Sequence, residues 1–177
     1  MSDLVKEVAA GAKPFKKAYV AIMLWFMGRA VQAAAKADAE VKKEFEALPD
    51  DFTFALGVLP NGPWMVVGKE KGKVKYFGWN PDAKKLDLRL GVKGVEAAIL
   101  MFTFQESTAL ATSRNRLIIS GELHYALAFM RIMGIVETYL LPKIIVQLAV
   151  KRYPTQWSFG RKYGGRLRVY TRALLGF

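Results

Sequence analysis

Cysteine is missing from this 177-residue chain, and histidine occurs once, at His124. The first absence excludes a disulfide framework, a thiol nucleophile and a zinc–thiolate site, and is compatible with the cytoplasm. The second leaves a multi-histidine metal site without ligands and makes any Ser/His hydrolase depend on one residue. Acids are absent from residues 138–177, where Lys143, Lys151, Arg152, Arg161, Lys162, Arg166, Arg168 and Arg172 stand. Those eight bases supply most of the formal net charge of +12, and the first 137 residues carry nineteen bases against fifteen acids. The positive field therefore belongs to the C-terminal end and implies an anionic partner there, whether lipid headgroup, nucleic acid or acidic protein. Internal repeats and low-complexity tracts are also lacking.

With 53% hydrophobic and 24% charged residues, the chain suffices for one ordinary domain with a real core plus extensions, and not for a second full domain. The most apolar run, AYVAIMLWFM at residues 18–27, is too short to span a bilayer. As a secretory signal it is opposed by Asp3 and Glu7 ahead of it and Arg29 just after it. It reads instead as part of one long helix over residues 14–47. The first half of that helix is apolar on most sides and needs a cover, from the domain core, a second subunit or a membrane surface; the second half is charged and solvated.

From Asp51 the period changes. Phe52, Phe54, Leu56 and Val58 alternate with Thr53, Ala55 and Gly57, as a strand covered on one side requires. Residues 60–63, Pro-Asn-Gly-Pro, make a turn; residues 64–69 and 73–79 form a hairpin; Asn80-Pro81-Asp82 turns the chain again. Leu86, Leu88 and Leu90 alternate with Asp87 and Arg89 as a half-buried strand. Residues 91–94 break the alternation and start a helix marked by Val95, Ala98, Ile99 and Phe102. That helix is also apolar at Leu100, Met101 and Phe104, so it is expected to be buried. After a connecting segment at 107–115, Leu117, Ile118 and Ile119 form a strand, Gly121 permits a sharp turn, and Leu123, Leu127 and Met130 follow at helical spacing. Residues 133–150 read as two packed or interfacial helices interrupted near Pro142. The last stretch, 153–177, takes no firm assignment.

Residues 51–133 resemble the sterol carrier protein domain. The resemblance is carried by Asn61-Gly62-Pro63-Trp64 at the first hairpin, Leu86-Asp87-Leu88-Arg89-Leu90 before the apolar helix, and Leu117 to Gly121-Glu122 before the last one. The chain departs from the family at Phe104-Gln105, where a Gly often ends the apolar helix, and at Ser113-Arg114-Asn115, the segment before the final strand. The helix in front and the Pro-containing tail look more distantly like bacterial ubiquinone-biosynthesis accessory factors that carry this domain. The family implies an α+β fold: a mostly antiparallel five-stranded sheet with helices on one face, enclosing an apolar cavity for a lipid tail, without catalysis or cofactor. The alternating strands support such layering independently. The division is then an N-terminal helical extension at 1–50, the core at 51–133 and a basic C-terminal helical extension at 134–177.

On that resemblance the cavity-lining candidates are Ile99, Met101, Phe102, Phe104, Leu110, Leu127 and Met130, although each alone suits plain core. Met- and Phe-rich walls fit a deformable pocket. His124 lies beside Glu122 and Tyr125, but neighbours one and two apart on a helix do not face each other as a catalytic pair. Gly91-Val92-Lys93-Gly94 lacks the glycine pattern and Lys-Ser/Thr of a phosphate loop. In the tail, Trp157, Phe159, Tyr163, Tyr170 and Phe177 alternate with bases that suit membrane headgroups, Arg161, Lys162, Arg166 and Arg168 among them; about four such bases at roughly 1 kcal/mol each give reversible docking. The expectation is a cytoplasmic, peripherally membrane-associated protein that binds and transfers a sterol, fatty acyl lipid or phospholipid. The alternatives are an accessory factor for isoprenoid or quinone intermediates and, in another class, a basic nucleic-acid-binding module. A homo-oligomer through the N-terminal apolar helix is a further expectation.

Overall fold

A computed structural model describes residues 14–103, 105–106, 108–140 and 171. Alternation builds the sheet. β1 (Thr53–Leu59) and β2 (Trp64–Glu70) form a hairpin; β3 (Lys73–Gly78) pairs with β2 through a turn at Lys71 and Gly72, both at positive φ. β4 (Leu88–Lys93) lies on the free side of β1, and β5 (Leu117–Gly121) closes the sheet in the order β3-β2-β1-β4-β5. Three of the four pairings are antiparallel, but β1 and β4 are parallel, with Phe54 opposite Leu88 and Leu56 opposite Leu90. The sheet is mixed because β3 already runs parallel to β1, and the chain reaches β4 by a crossover through a short 3-10 turn, Pro81–Ala83. Asn80 caps that turn, its side chain accepting the Asp82 N–H at 3.0 Å.

The crossover alters the expected alternation. Leu86 joins Ala55, Trp64, Val66 and Phe77 on the face away from the main core, while Leu88, Leu90 and Val92 are fully buried in the main core. The switch occurs at Asp87, whose N–H bonds the Thr53 carbonyl and whose carboxylate accepts the Thr53 N–H, both at 2.9 Å. Nor does β4 end at Gly91. A Cβ there would lie 2.5 Å from Leu59 Cδ1, so glycine lets Leu59 cross the strand; the helix starts only after Gly94, at φ 85°.

The N-terminal segment is two helices rather than one, α1 (Pro14–Ala37) and α2 (Ala39–Glu46). Asp38 divides them. Its backbone is extended, and its side chain accepts the N–H of Glu40 at 2.8 Å and of Val41 at 3.2 Å, as an N-cap does. α3 (Val95–Phe102) follows β4, and the segment expected to be a plain connection contains a six-residue helix, α4 (Thr108–Ser113). α5 (Leu123–Leu140) runs on through Met133 and Gly134 with no break there, where a new helix was expected to begin. Residues 141–170 and 172–177 lie outside the described residues.

α1, α3 and α5 contribute to one core with the Phe54–Leu56–Val58 face of β1. Ring packing fixes α5 on the sheet: Tyr125 lies 4.8 Å from Phe52 and Phe129 lies 5.0 Å from Phe54, centroid to centroid. At its far end the Tyr139 hydroxyl donates to the Asp38 carboxylate, tying α5 to the joint between α1 and α2.

Candidate functional site

Six of the seven expected lining residues fall on three helices. Ile99 and Met101 are half-buried on α3, while Phe102 is in the core; Leu110 is 41% exposed on α4; on α5 Leu127 is 51% exposed and Met130 half-buried. Phe104 lies outside the described residues, as do Arg161, Lys162, Arg166 and Arg168. α4 packs on α3 and β5, and α5 packs on β5, which places α4 and α5 on the same edge strand. Ile99, Met101, Met130 and Ile119 are each partly buried and pack against the main core.

Leu123, 73% exposed, is an apolar side chain of α5 that the expected set omitted. Its spacing was the available signal, since Leu123, Leu127 and Met130 repeat at four and three residues on one face of α5. An enclosed apolar cavity is not delineated by the described residues. What they present are large apolar side chains left in water on α4 and on α5, although neighbouring positions on the same helices are packed.

The loop beside this margin is held by charge. Glu106 is 4% exposed, and its carboxylate takes Arg114 at 3.2 Å on one oxygen and Arg116 on the other. A buried carboxylate is retained only when so paired, and the two ion pairs tie Glu106 to Arg114 and to Arg116, which directly precedes β5. At the other end of β5, Gly121 has φ 134°, and a Cβ there would lie 2.5 Å from the Asp87 carbonyl oxygen. Glycine is required at that turn into α5.

Contrary to the helical-spacing expectation, His124 does meet Glu122, Nδ1 to Oε2 at 3.1 Å, because Glu122 precedes α5 and is not bound by its periodicity. Both side chains are mostly exposed, so the pair has no water-excluding pocket in which to act. Among the described residues, no three His, Asp or Glu side chains gather as a metal site. On the helix-free face, an open cleft of about 550 Å³ is lined by Lys84, Leu86, Asp87, Arg89 and Ser120. Its cations are already seated on rings, Lys84 at 3.6 Å from Phe77 and Arg89 at 4.5 Å from Trp64. On α5, burial pushes the Glu137 carboxyl up to about 7.

No protein-family model and no curated protein matches the chain. Among solved structures, a UbiJ ubiquinone-synthesis protein with a sterol carrier domain matches at 13% identity and a TM-score of 0.45, covering 70% of this chain and 99% of its own. The sterol carrier protein domain 2 of Helicoverpa armigera matches at 19% identity and 0.43, covering 73% and 94%. A palmitated sterol-carrier-like protein of Aedes aegypti matches at 14% and 0.42, covering 61% and 91%. The chain is thus similar to sterol carrier protein domains of known structure, the family that its sequence resembles.

Proposed function

We propose that the chain binds the apolar tail of a lipid, without catalysis, at the margin formed by α3, α4, α5 and β5, and hands it on at a membrane. The observation that supports this reading is the exposure of Leu110 on α4 and of Leu123 and Leu127 on α5, with Ile99, Met101 and Met130 half-buried against the main core. Apolar side chains left in water are what an apolar ligand can cover. Seating about ten methylenes there, at roughly 0.8 kcal/mol each, yields on the order of 8 kcal/mol before ordering costs, enough for micromolar retention. The basic residues of the tail, Arg161, Lys162, Arg166 and Arg168 among them, would supply headgroup contacts during delivery.

Native mass spectrometry of the gently purified full chain tests the reading. The expected result is a mass increment of several hundred daltons that collisional activation releases as lipid. A chain that is bare even after incubation with mixed phospholipids and fatty acids, and that carries nucleic acid instead, contradicts it.

A further inference from the structure

The two edges of the sheet are finished differently. On β3, Lys73 and Lys75 are exposed, a bulge interrupts the pairing opposite Val66 and Val67, and Gln32 of α1 accepts the Tyr76 N–H at 2.9 Å. Such features keep an edge strand from pairing with another chain. β5 has none of these. Its residues, LIISG, include no charge and no proline, and its pairing with β4 is regular along its whole length. The Lys93 N–H donates to the Arg116 carbonyl at 2.7 Å, which fixes the alternation: Arg116, Ile118 and Ser120 turn their backbone groups to β4, and Leu117, Ile119 and Gly121 turn theirs outward. Among the described residues, no hydrogen bond takes those outward groups.

The charges at the two ends of β5 point to the occupant. Arg114 and Arg116 share the carboxylate of Glu106, so the strand begins with one base in excess; it is followed by Glu122, whose side chain is 70% exposed beside His124. We propose that β5 pairs with β5 of a second copy, antiparallel about a two-fold axis at Ile119, to make one continuous sheet. In that register Ile119 faces its own copy, Leu117 faces Gly121, and about six backbone hydrogen bonds close the outward groups of both strands. The basic end of each strand meets the acidic end of the other, whereas a parallel pairing would set bases on bases. Leu117 and Ile119 turn to the core, so Ile118, 39% exposed, and Ser120 lie on the helix-free face. Across the seam each Ile118 stands opposite Ser120 of the second copy, and the two Ile118 side chains become diagonal neighbours. A strand with opposite charges at its ends is what a self-complementary seam requires. A peptide from another protein would need no such pattern. The pairing uses backbone groups and needs no lipid, so it goes beyond the ligand site.

Sedimentation equilibrium of the full chain over a concentration series tests the pairing. The mass should rise from 19.8 kDa toward twice that value. Ile118→Lys with Ser120→Lys sets lysines opposite lysines and should weaken dimerisation about tenfold or more. Ile118→Glu with Ser120→Glu should do the same, and an equimolar mixture of the two variants should dimerise again, because every Lys then faces a Glu. The absence of cysteine permits a test of register. Ile118→Cys mixed with Ser120→Cys, one of them enlarged by a tag, should oxidise mainly to the mixed disulfide, since opposite positions lie about 4.5 Å apart at Cα. That pair decides the case if circular dichroism shows a charged variant to be unfolded. Four results overturn the proposal: a wild type that stays monomeric at every concentration, which would leave the edge to an extended segment of another protein; a folded lysine variant that dimerises like the wild type, which would put the interface elsewhere; folded lysine and glutamate variants whose mixture stays monomeric; or no preference for the mixed disulfide. A lipid-free dimer would still support the pairing and would count only against the lipid-carrier reading.

Discussion

Replacing Asp38 with Ala should unfold the joint between the N-terminal helices and α5. Asp38 is 4% exposed, caps α2 through two backbone N–H groups and accepts the Tyr139 hydroxyl. Loss of the cap costs about 1 kcal/mol. Loss of the hydrogen bond to a charged acceptor, with the buried Tyr139 hydroxyl left behind, costs about 1.5–3 kcal/mol. Together these amount to roughly 2.5–4 kcal/mol, a fall of about 5–15 °C in Tm for a chain of this size. Asp38→Asn retains an acceptor for the cap and should lose about half as much. Urea unfolding of Asp38→Ala, Tyr139→Phe and the double variant forms a cycle whose coupling should be at least about 1 kcal/mol. A midpoint for Asp38→Ala equivalent to less than about 0.5 kcal/mol of change, or additive single variants, would refute the reasoning.

Glu137 should make stability fall with pH: its folded pKa of about 7 lies above the ordinary 4.5, so the folded chain holds a proton that the unfolded chain has released. Stability is then greatest below about 4.5, declines to about 7 and is flat above, by on the order of 2 kcal/mol for this half-buried residue; Glu137→Gln should remove that slope in urea melts at a series of pH values. Gly57→Ala places a Cβ 2.2 Å from the Trp64 ring, which must shift and release Arg89 from its seat. The expected loss is about 1–3 kcal/mol in the same assay, and an unchanged midpoint would show that the ring can move without cost.

The strands were legible where alternation was strict: Phe54, Leu56 and Val58 share a buried face as their spacing demands. The failures have local causes. Asp38 reads in sequence as one acid within a charged helical stretch, and only its partner 101 residues away shows that it is buried. Leu86 fits the period of Leu88 and Leu90, but the Asp87–Thr53 bonds turn the chain between faces, a tertiary constraint that periodicity cannot express. The parallel pairing of β1 with β4 depends on which side of β1 is free after the first hairpin, a matter of topology rather than local pattern. At the candidate site, apolar spacing identified the helices but not the depth of each side chain. Phe102 and Leu127 look alike in sequence, yet one is 4% and the other 51% exposed.

That difference sets the most direct measurement. Leu123 and Leu127 stand largely in water, so Leu123→Asp with Leu127→Asp should leave the folded chain nearly as stable as before, whereas a charge at Phe102 would disrupt the core for reasons unrelated to ligand. A fluorescent fatty acid is titrated into the wild type and the double variant, with unfolding curves taken on the same samples. If a lipid tail lies against α5, retention should weaken about tenfold or more, because apolar contact is lost and two carboxylates must be desolvated. Equal affinity in the two proteins, with equal stability, would contradict the assignment of the lipid site to this margin.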